Sequence, residues 1–222
     1  KLSTNTIKFY PGISYRHCVV LKHQKNEDMK FTPPHDISGR KISEYTPKGE
    51  VGRCLFELMK KSRELLKDHP INLKRIEKGL HPATSIWLWG QGRKPAFDSF
   101  EKMHSIKGAV ISAVDLVKGL GLCAKMWVPD VEGVTGNIHT NFEGKANAAI
   151  DFYKKGGEFV YLHVEAPDEC GHRKEIFNKV KSIEYLDLKI LAPIIEYFDK
   201  SGDDYKILVM PDHPTPLSIM TH

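Results

Sequence analysis

No run of apolar residues in this chain is long enough to cross a bilayer, and no secretory leader opens it, so a cytoplasmic protein is the default expectation. Cysteine is scarce. Cys18, Cys54, Cys123 and Cys170 are spread along the sequence with no CxxC pair, which argues against a zinc ribbon or a redox dithiol and favours reduced thiols. Long Lys/Arg runs, RNA-binding signatures and internal repeats are also missing, so neither a nucleic-acid surface nor a repeat architecture is expected. What is present is an ordinary globular composition, 41% hydrophobic and 27% charged over 222 residues, enough for one large α/β domain or two smaller ones.

The net charge of +5 conceals a division. Residues 1–104 hold 20 Lys/Arg against 11 Asp/Glu, and residues 105–222 hold 13 against 17. A basic half with interleaved acids suits small phosphorylated or carboxylated ligands, whereas an acidic half is the kind of surface on which cations are held. We place the domain boundary here, as 1–104 and 105–222. The chain begins at Lys1 rather than methionine, and the expectation is a fragment of a longer protein.

Alternation of elements sets the fold class. CVVLK (18–22) reads as a strand, Thr32 to Gly52 as a loop, and Arg53 to Asp68 as an amphipathic helix ended by Pro70. SIWLW (85–89) is predicted as a strand running into a turn. After a linker around Asp98 to His104, GAVISAVDLVKGLG passes from strand to helix. A Gly- and Thr-rich loop, a helix over 144–155, a strand over 159–164, a helix over 175–200 kinked near Pro193 and a strand over 206–210 follow. This spacing predicts a largely parallel sheet covered by helices.

The last two strands end alike. FVYLHV runs into EAPDECGH and KILVM runs into PDH, so each delivers one Asp and one His beyond its carboxyl end, where open parallel sheets bind ligands. Asp168, His172, Asp212 and His213 are therefore predicted to converge as ligands of divalent metal, with His222 returning across a proline-containing loop. Carboxylate oxygen with neutral imidazole suits Mn²⁺ or Zn²⁺, and Mg²⁺ less well. Any one such residue is more often a solvated loop residue or a helix cap; the repeated pairing is what favours a metal site. Lys145 reads as an exposed residue early in a helix, Trp87 and Trp89 as core, and GLG at 119–121 as too weak a signal for a nucleotide.

The motifs FYPGISYRH, TPPHDISGR, HPATSIWLWGQGRKP, GAVISAVDLVKGLG, HVEAPDECGH and VMPDHPTPLSIMTH occur in order through almost the whole chain. In these the sequence resembles cofactor-independent phosphoglycerate mutases of the archaeal type, in the alkaline phosphatase superfamily. The resemblance implies an alkaline-phosphatase-like catalytic domain carrying an inserted substrate-binding domain. Residues 1–104 would be most of the insertion, and 105–222 the returning part of the catalytic domain. It implies a two-metal site that needs no 2,3-bisphosphoglycerate, and a serine nucleophile that carries the phosphoryl group between the 3- and 2-positions of glycerate. Asp168, His172 and His222 match the ligands of one ion, and Asp212 and His213 match ligands of the other. The serine and one further aspartate would precede Lys1, so the fragment alone is expected to be inactive. Lys118 matches a lysine that touches the phosphoryl group. Lys174 departs from the pattern, where a small residue is more usual. In the basic half, Arg16, His17, His35, Asp36, Arg75 and Arg93 lie in matching segments and are the substrate-binding candidates, since arginine can grip carboxylate or phosphate bidentately. A phosphatase, a phosphopentomutase-like enzyme, a proposed homoserine kinase of the same superfamily, or a non-catalytic binding module for phosphorylated metabolites are the alternatives. No nucleic-acid or membrane partner is expected.

Overall fold

The computed structural model describes residues 1–12, 16–22, 30–37 and 39–220, leaving aside the side chain of His35. The chain forms two compact units, Lys1–Arg93 and Lys94–His222.

In the first unit, strands β1 (Ile7–Tyr10) and β2 (Cys18–Leu21) pair antiparallel, with Ile7 opposite Leu21 and Tyr10 opposite Cys18. The predicted loop contains two 3₁₀ turns, Pro34–Ile37 and Ile42–Glu44. Helix α1 (Gly49–Lys67) then starts earlier than the apolar spacing suggested. It buries Leu55, Leu58, Met59 and Ser62 along one stripe, at the three- and four-residue intervals of a helix face. Burial of each large apolar side chain in that stripe contributes roughly 1.5–3 kcal/mol. Pro70 does not simply end the helical pattern. It opens α2 (Pro70–Glu77), where the missing N–H of proline costs nothing and the His69 ring accepts from the Ile71 N–H.

SIWLW forms no ladder among the described residues. Three of its polar groups are bonded elsewhere in the unit instead. Ser62 Oγ accepts from the Ile86 N–H at 3.0 Å, the Ser85 hydroxyl donates to the Met59 carbonyl at 3.1 Å, and Trp87 Nε1 donates to the Thr32 carbonyl at 2.8 Å. Just upstream, buried Asn72 donates to the Leu66 and Ala83 carbonyls and accepts from the Ala83 N–H. A β-rich segment is thus hydrogen-bonded to α1, and Ala83 just before it to α2, with no strand partner among the described residues.

The second unit begins with a short helix, α3 (Phe100–His104), in the segment expected to be linker. Ser99 caps it, its hydroxyl accepting from the Lys102 N–H. The Phe100 ring stacks on Phe159 with centroids 5.1 Å apart, which binds this helix to the second unit. The junction accordingly falls at Arg93/Lys94 rather than at His104. The charge division survives the move. Residues 1–93 hold 18 Lys/Arg against 9 Asp/Glu, and residues 94–222 hold 15 against 19.

Strand β3 (Gly108–Ile111) is buried throughout. It is followed by α4 (Asp115–Cys123), α5 (Phe142–Lys154), β4 (Phe159–Leu162), α6 (Ala166–His172), α7 (Ile176–Leu186), a π-turn over Asp187–Leu191, and α8 (Ala192–Ser201). β4 pairs parallel with β3, and Trp127 bridges Ala109, also in parallel. All three rows run the same way, as βαβ crossovers require. Helix α4 packs closely on β3 because Gly121 has no side chain: a Cβ there would lie 2.8 Å from Val110 Cγ2. Phe142, Ala146, Ala166 and Ile190 form the core of this unit, with Leu162, Val164, Tyr185 and Ile194 packed around them. The predicted single helix is divided into α7 and α8 by the π-turn, which ends just before Pro193.

The predicted strand 206–210 forms no strand or ladder among the described residues, and Leu208 and Met210 are 81% and 67% exposed. No described helix is long and apolar enough to cross a membrane. All four cysteines are free.

Candidate metal centre

The parallel pair β3–β4 sets the position of the site. At the carboxyl end of β3, the buried Ser112 hydroxyl lies 3.2 Å from His163 Nδ1 at the carboxyl end of β4. The chain then turns into α6, where Glu165 is the capping residue and its carbonyl accepts from the Asp168 and Glu169 N–H groups. One helical turn separates Asp168 from His172, so both side chains share a face of α6.

His172 Nε2 lies 3.3 Å from Asp168 Oδ2, and His213 Nε2 lies 3.3 Å from Asp212 Oδ2. Each histidine turns its other nitrogen to a carbonyl: His172 Nδ1 is 2.9 Å from Met220 O, and His213 Nδ1 is 3.4 Å from Pro214 O. A proton on Nδ1 would satisfy those carbonyls and make Nε2, on the carboxylate side of each ring, the nitrogen that ligates a metal. Two ligands of one ion, each about 2.1 Å from it at a tetrahedral angle, stand about 3.4 Å apart. The spacing in both Asp–His pairs fits that requirement, and oxygen with imidazole nitrogen is a donor set suited to Mn²⁺ or Zn²⁺.

The two pairs are joined. The Thr215 hydroxyl donates to Asp168 Oδ1 and lies 3.5 Å from His213 Nδ1, so the segment 212–220 lies against α6. Among the described residues no three His, Cys, Asp or Glu side chains close around one position, so each pair is a partial ligand set. His222 lies outside the described residues.

Sequence reasoning missed the layer beneath. Lys145, expected to be exposed, is 0% exposed, and its Nζ donates to the His163 carbonyl at 2.9 Å. Its burial was legible in hindsight, because Phe142, Lys145, Ala146 and Ala149 recur at helical spacing on the buried face of α5. Burial pulls the Lys145 ammonium down to about 8, against the opposing pull of the Glu165 carboxylate. Burial likewise lowers the His163 pKa, while Glu165, Asp212 and Asp168 act the other way. His163 therefore sits within electrostatic reach of both Asp–His pairs. Lys118 projects from the first half of α4, which follows the carboxyl end of β3, and its Nζ is 3.1 Å from exposed Asp130. That partner is solvated, so the ion pair holds Lys118 only weakly.

The substrate-binding candidates belong to the first unit and are spread over several of its elements. His17, just before β2, accepts the Gly12 N–H at Nδ1. Arg16 precedes it, Asp36 is exposed in the 3₁₀ turn Pro34–Ile37, and Arg75 in the last turn of α2 donates from Nε to the His81 carbonyl at 2.8 Å. Arg93 is exposed at the end of the unit, and the His35 side chain is outside the described set. Trp89 is exposed rather than core, while Trp87 is half-buried.

Comparison with known proteins agrees with this chemistry. A profile described as the Metalloenzyme superfamily matches residues 36–222. A 2,3-bisphosphoglycerate-independent phosphoglycerate mutase from Methanosarcina mazei is 51% identical over 222 residues, covering 100% of this chain and 56% of that protein. A protein from Geobacter sulfurreducens, described as a probable mutase of the same kind, is 49% identical over 221 residues, covering 100% of this chain and 55% of its own length. The chain thus spans about half the length of these curated relatives. A solved structure from Pyrococcus horikoshii is similar with a TM-score of 0.58 at 29% identity, covering 78% of this chain and 45% of that one.

Proposed function

The chain belongs to the Metalloenzyme superfamily, and we propose that the complete protein is a metal-dependent, 2,3-bisphosphoglycerate-independent phosphoglycerate mutase. It interconverts 3- and 2-phosphoglycerate in glycolysis and gluconeogenesis, in the cytoplasm, through a phosphoserine. The observation that carries this reading is the pairing of Asp168 with His172 and of Asp212 with His213, each at 3.3 Å and joined through Thr215. Half-identity to curated mutases over the whole chain supports the substrate.

In this reading the first unit, Lys1–Arg93, is most of the inserted substrate-binding domain, and the second, Lys94–His222, is part of the catalytic domain. Asp168, His172 and His222 would hold one divalent ion. Asp212 and His213 would hold the other, together with an aspartate and a nucleophilic serine from the rest of the complete protein, of whose relatives this chain spans about half. The ions, Mn²⁺ or Zn²⁺, supply neutralisation of the phosphoryl oxygens. The protein's own part is positional. Lys118 leaves Asp130 to meet the phosphoryl group, and the fully exposed carboxylate it leaves behind stays in water. Arg16, Arg75 and Arg93 grip phosphate or carboxylate, with His17, His35 and Asp36 supplying hydrogen bonds to substrate oxygens. Holding the glycerate between the two transfers keeps it from escaping and turns the second transfer into an intramolecular step.

Assay of the full-length gene product with 3-phosphoglycerate, coupled to consumption of 2-phosphoglycerate, tests the reading. Interconversion that disappears in Asp168→Asn is expected, and the 222-residue chain alone is expected to be inactive. Turnover of a different phosphorylated substrate, with none of phosphoglycerate, would replace the assignment.

A further inference from the structure

The two Asp–His pairs come from separate segments, α6 and the loop after residue 210, and nothing in the covalent chain sets their spacing. One side chain touches both. The geometry points to Thr215 as a positioning residue that holds the two partial ligand sets in register, an inference that rests on the metal reading above.

Thr215 is 5% exposed and has three anchors. Its hydroxyl donates to Asp168 Oδ1, which leaves Oδ2, the oxygen beside His172 Nε2, as the face turned towards an ion. The same oxygen lies 3.5 Å from His213 Nδ1, on the side of that ring away from Asp212 Oδ2. The Thr215 carbonyl accepts from Lys179 Nζ at 2.9 Å, which ties the loop to α7. Close approach of the loop to α6 also depends on Gly171, where a Cβ would lie 2.7 Å from the Thr215 carbonyl oxygen and 2.9 Å from its Cγ2. A buried hydroxyl that orients the ligating carboxylate of one pair and adjoins the imidazole of the other is a shared outer-layer contact. Loss of such contacts typically weakens metal binding about 10- to 100-fold.

The test uses the metal-stripped full-length protein, titrated with Mn²⁺ by calorimetry, alongside thermal unfolding of the stripped protein. Thr215→Val keeps the shape and removes the hydroxyl; Thr215→Ser keeps the hydroxyl and removes the methyl. The expected result is that Thr215→Val weakens binding of both Mn²⁺ ions about 10- to 100-fold while the stripped protein melts as the wild type does, and that Thr215→Ser binds as the wild type does. Wild-type Mn²⁺ binding in Thr215→Val overturns the inference alone. So does equal weakening in Thr215→Ser, or a weakening matched by a lower melting temperature of the stripped protein, since either would make the role one of packing. Failure of the metal reading shows itself separately: wild-type protein would bind Mn²⁺ no better than Asp168→Asn, and both conclusions would then fall.

Discussion

A lysine with none of its side chain in water is costly unless its charge is matched, and Lys145 is met by one carbonyl and by the field of Glu165. Its pKa of about 8 lies below the ordinary 10.5, so folding favours release of its proton. The unfolded chain binds more protons than the folded one between these two values. Stability attributable to Lys145 is therefore lowest below pH 8 and rises as pH climbs from about 8 towards 10.5, by on the order of 3 kcal/mol. Lys145→Met should remove that rise, so that urea unfolding between pH 7 and 10 shows a flatter difference curve for the variant. Parallel curves would mean that the charge is better compensated than the geometry indicates. The same lysine shows what residue type alone conceals: lysine is usually exposed, but its register with Phe142 and Ala149 placed it on the buried face of α5.

Elements in the first unit are held together by polar side chains as much as by apolar packing. Asn72 joins the end of α1, the start of α2 and the segment entering SIWLW through three hydrogen bonds of 2.7–2.9 Å. Asn72→Ala removes all three and should lower stability by about 2 kcal/mol, given the cost of unpaired buried groups. Denaturant unfolding of the full-length protein measures it, and a change below about 0.5 kcal/mol, the level of an ordinary surface substitution, would show that water replaces the amide. This network also explains why SIWLW failed as a strand. β-propensity describes fitness for a pleated, half-buried surface, and here that surface is helical and polar. By contrast GAVI became the buried strand β3 as expected, because α4 and α5 pack against it and a strand buried on both faces accepts an unbroken apolar run.

At the scale of the whole molecule, the chain divides where no helix or strand spans the junction. Residues 78–99 carry neither, and Arg93 and Lys94 are exposed within that stretch. Limited trypsin digestion should therefore cut first after Arg93 and release pieces corresponding to Lys1–Arg93 and Lys94–His222. Earlier cleavage inside α1 or α5 would show that the boundary is not the weakest point.

Local pattern determined much of this protein. Helical spacing located α1, α5 and α7, the two Asp–His motifs brought forward Asp168, His172, Asp212 and His213, and charge segregation marked two halves. These are features of period and adjacency, which a sequence carries directly. Only the tertiary structure decided which long-range partners satisfy polar groups. It set Thr215 between two Asp–His pairs, placed Lys145 under His163, and left the run over 206–210 without a ladder among the described residues. The reason is physical. A helix closes its hydrogen bonds within its own segment, whereas a strand, a buried charge and a shared hydroxyl depend on groups that are distant in sequence.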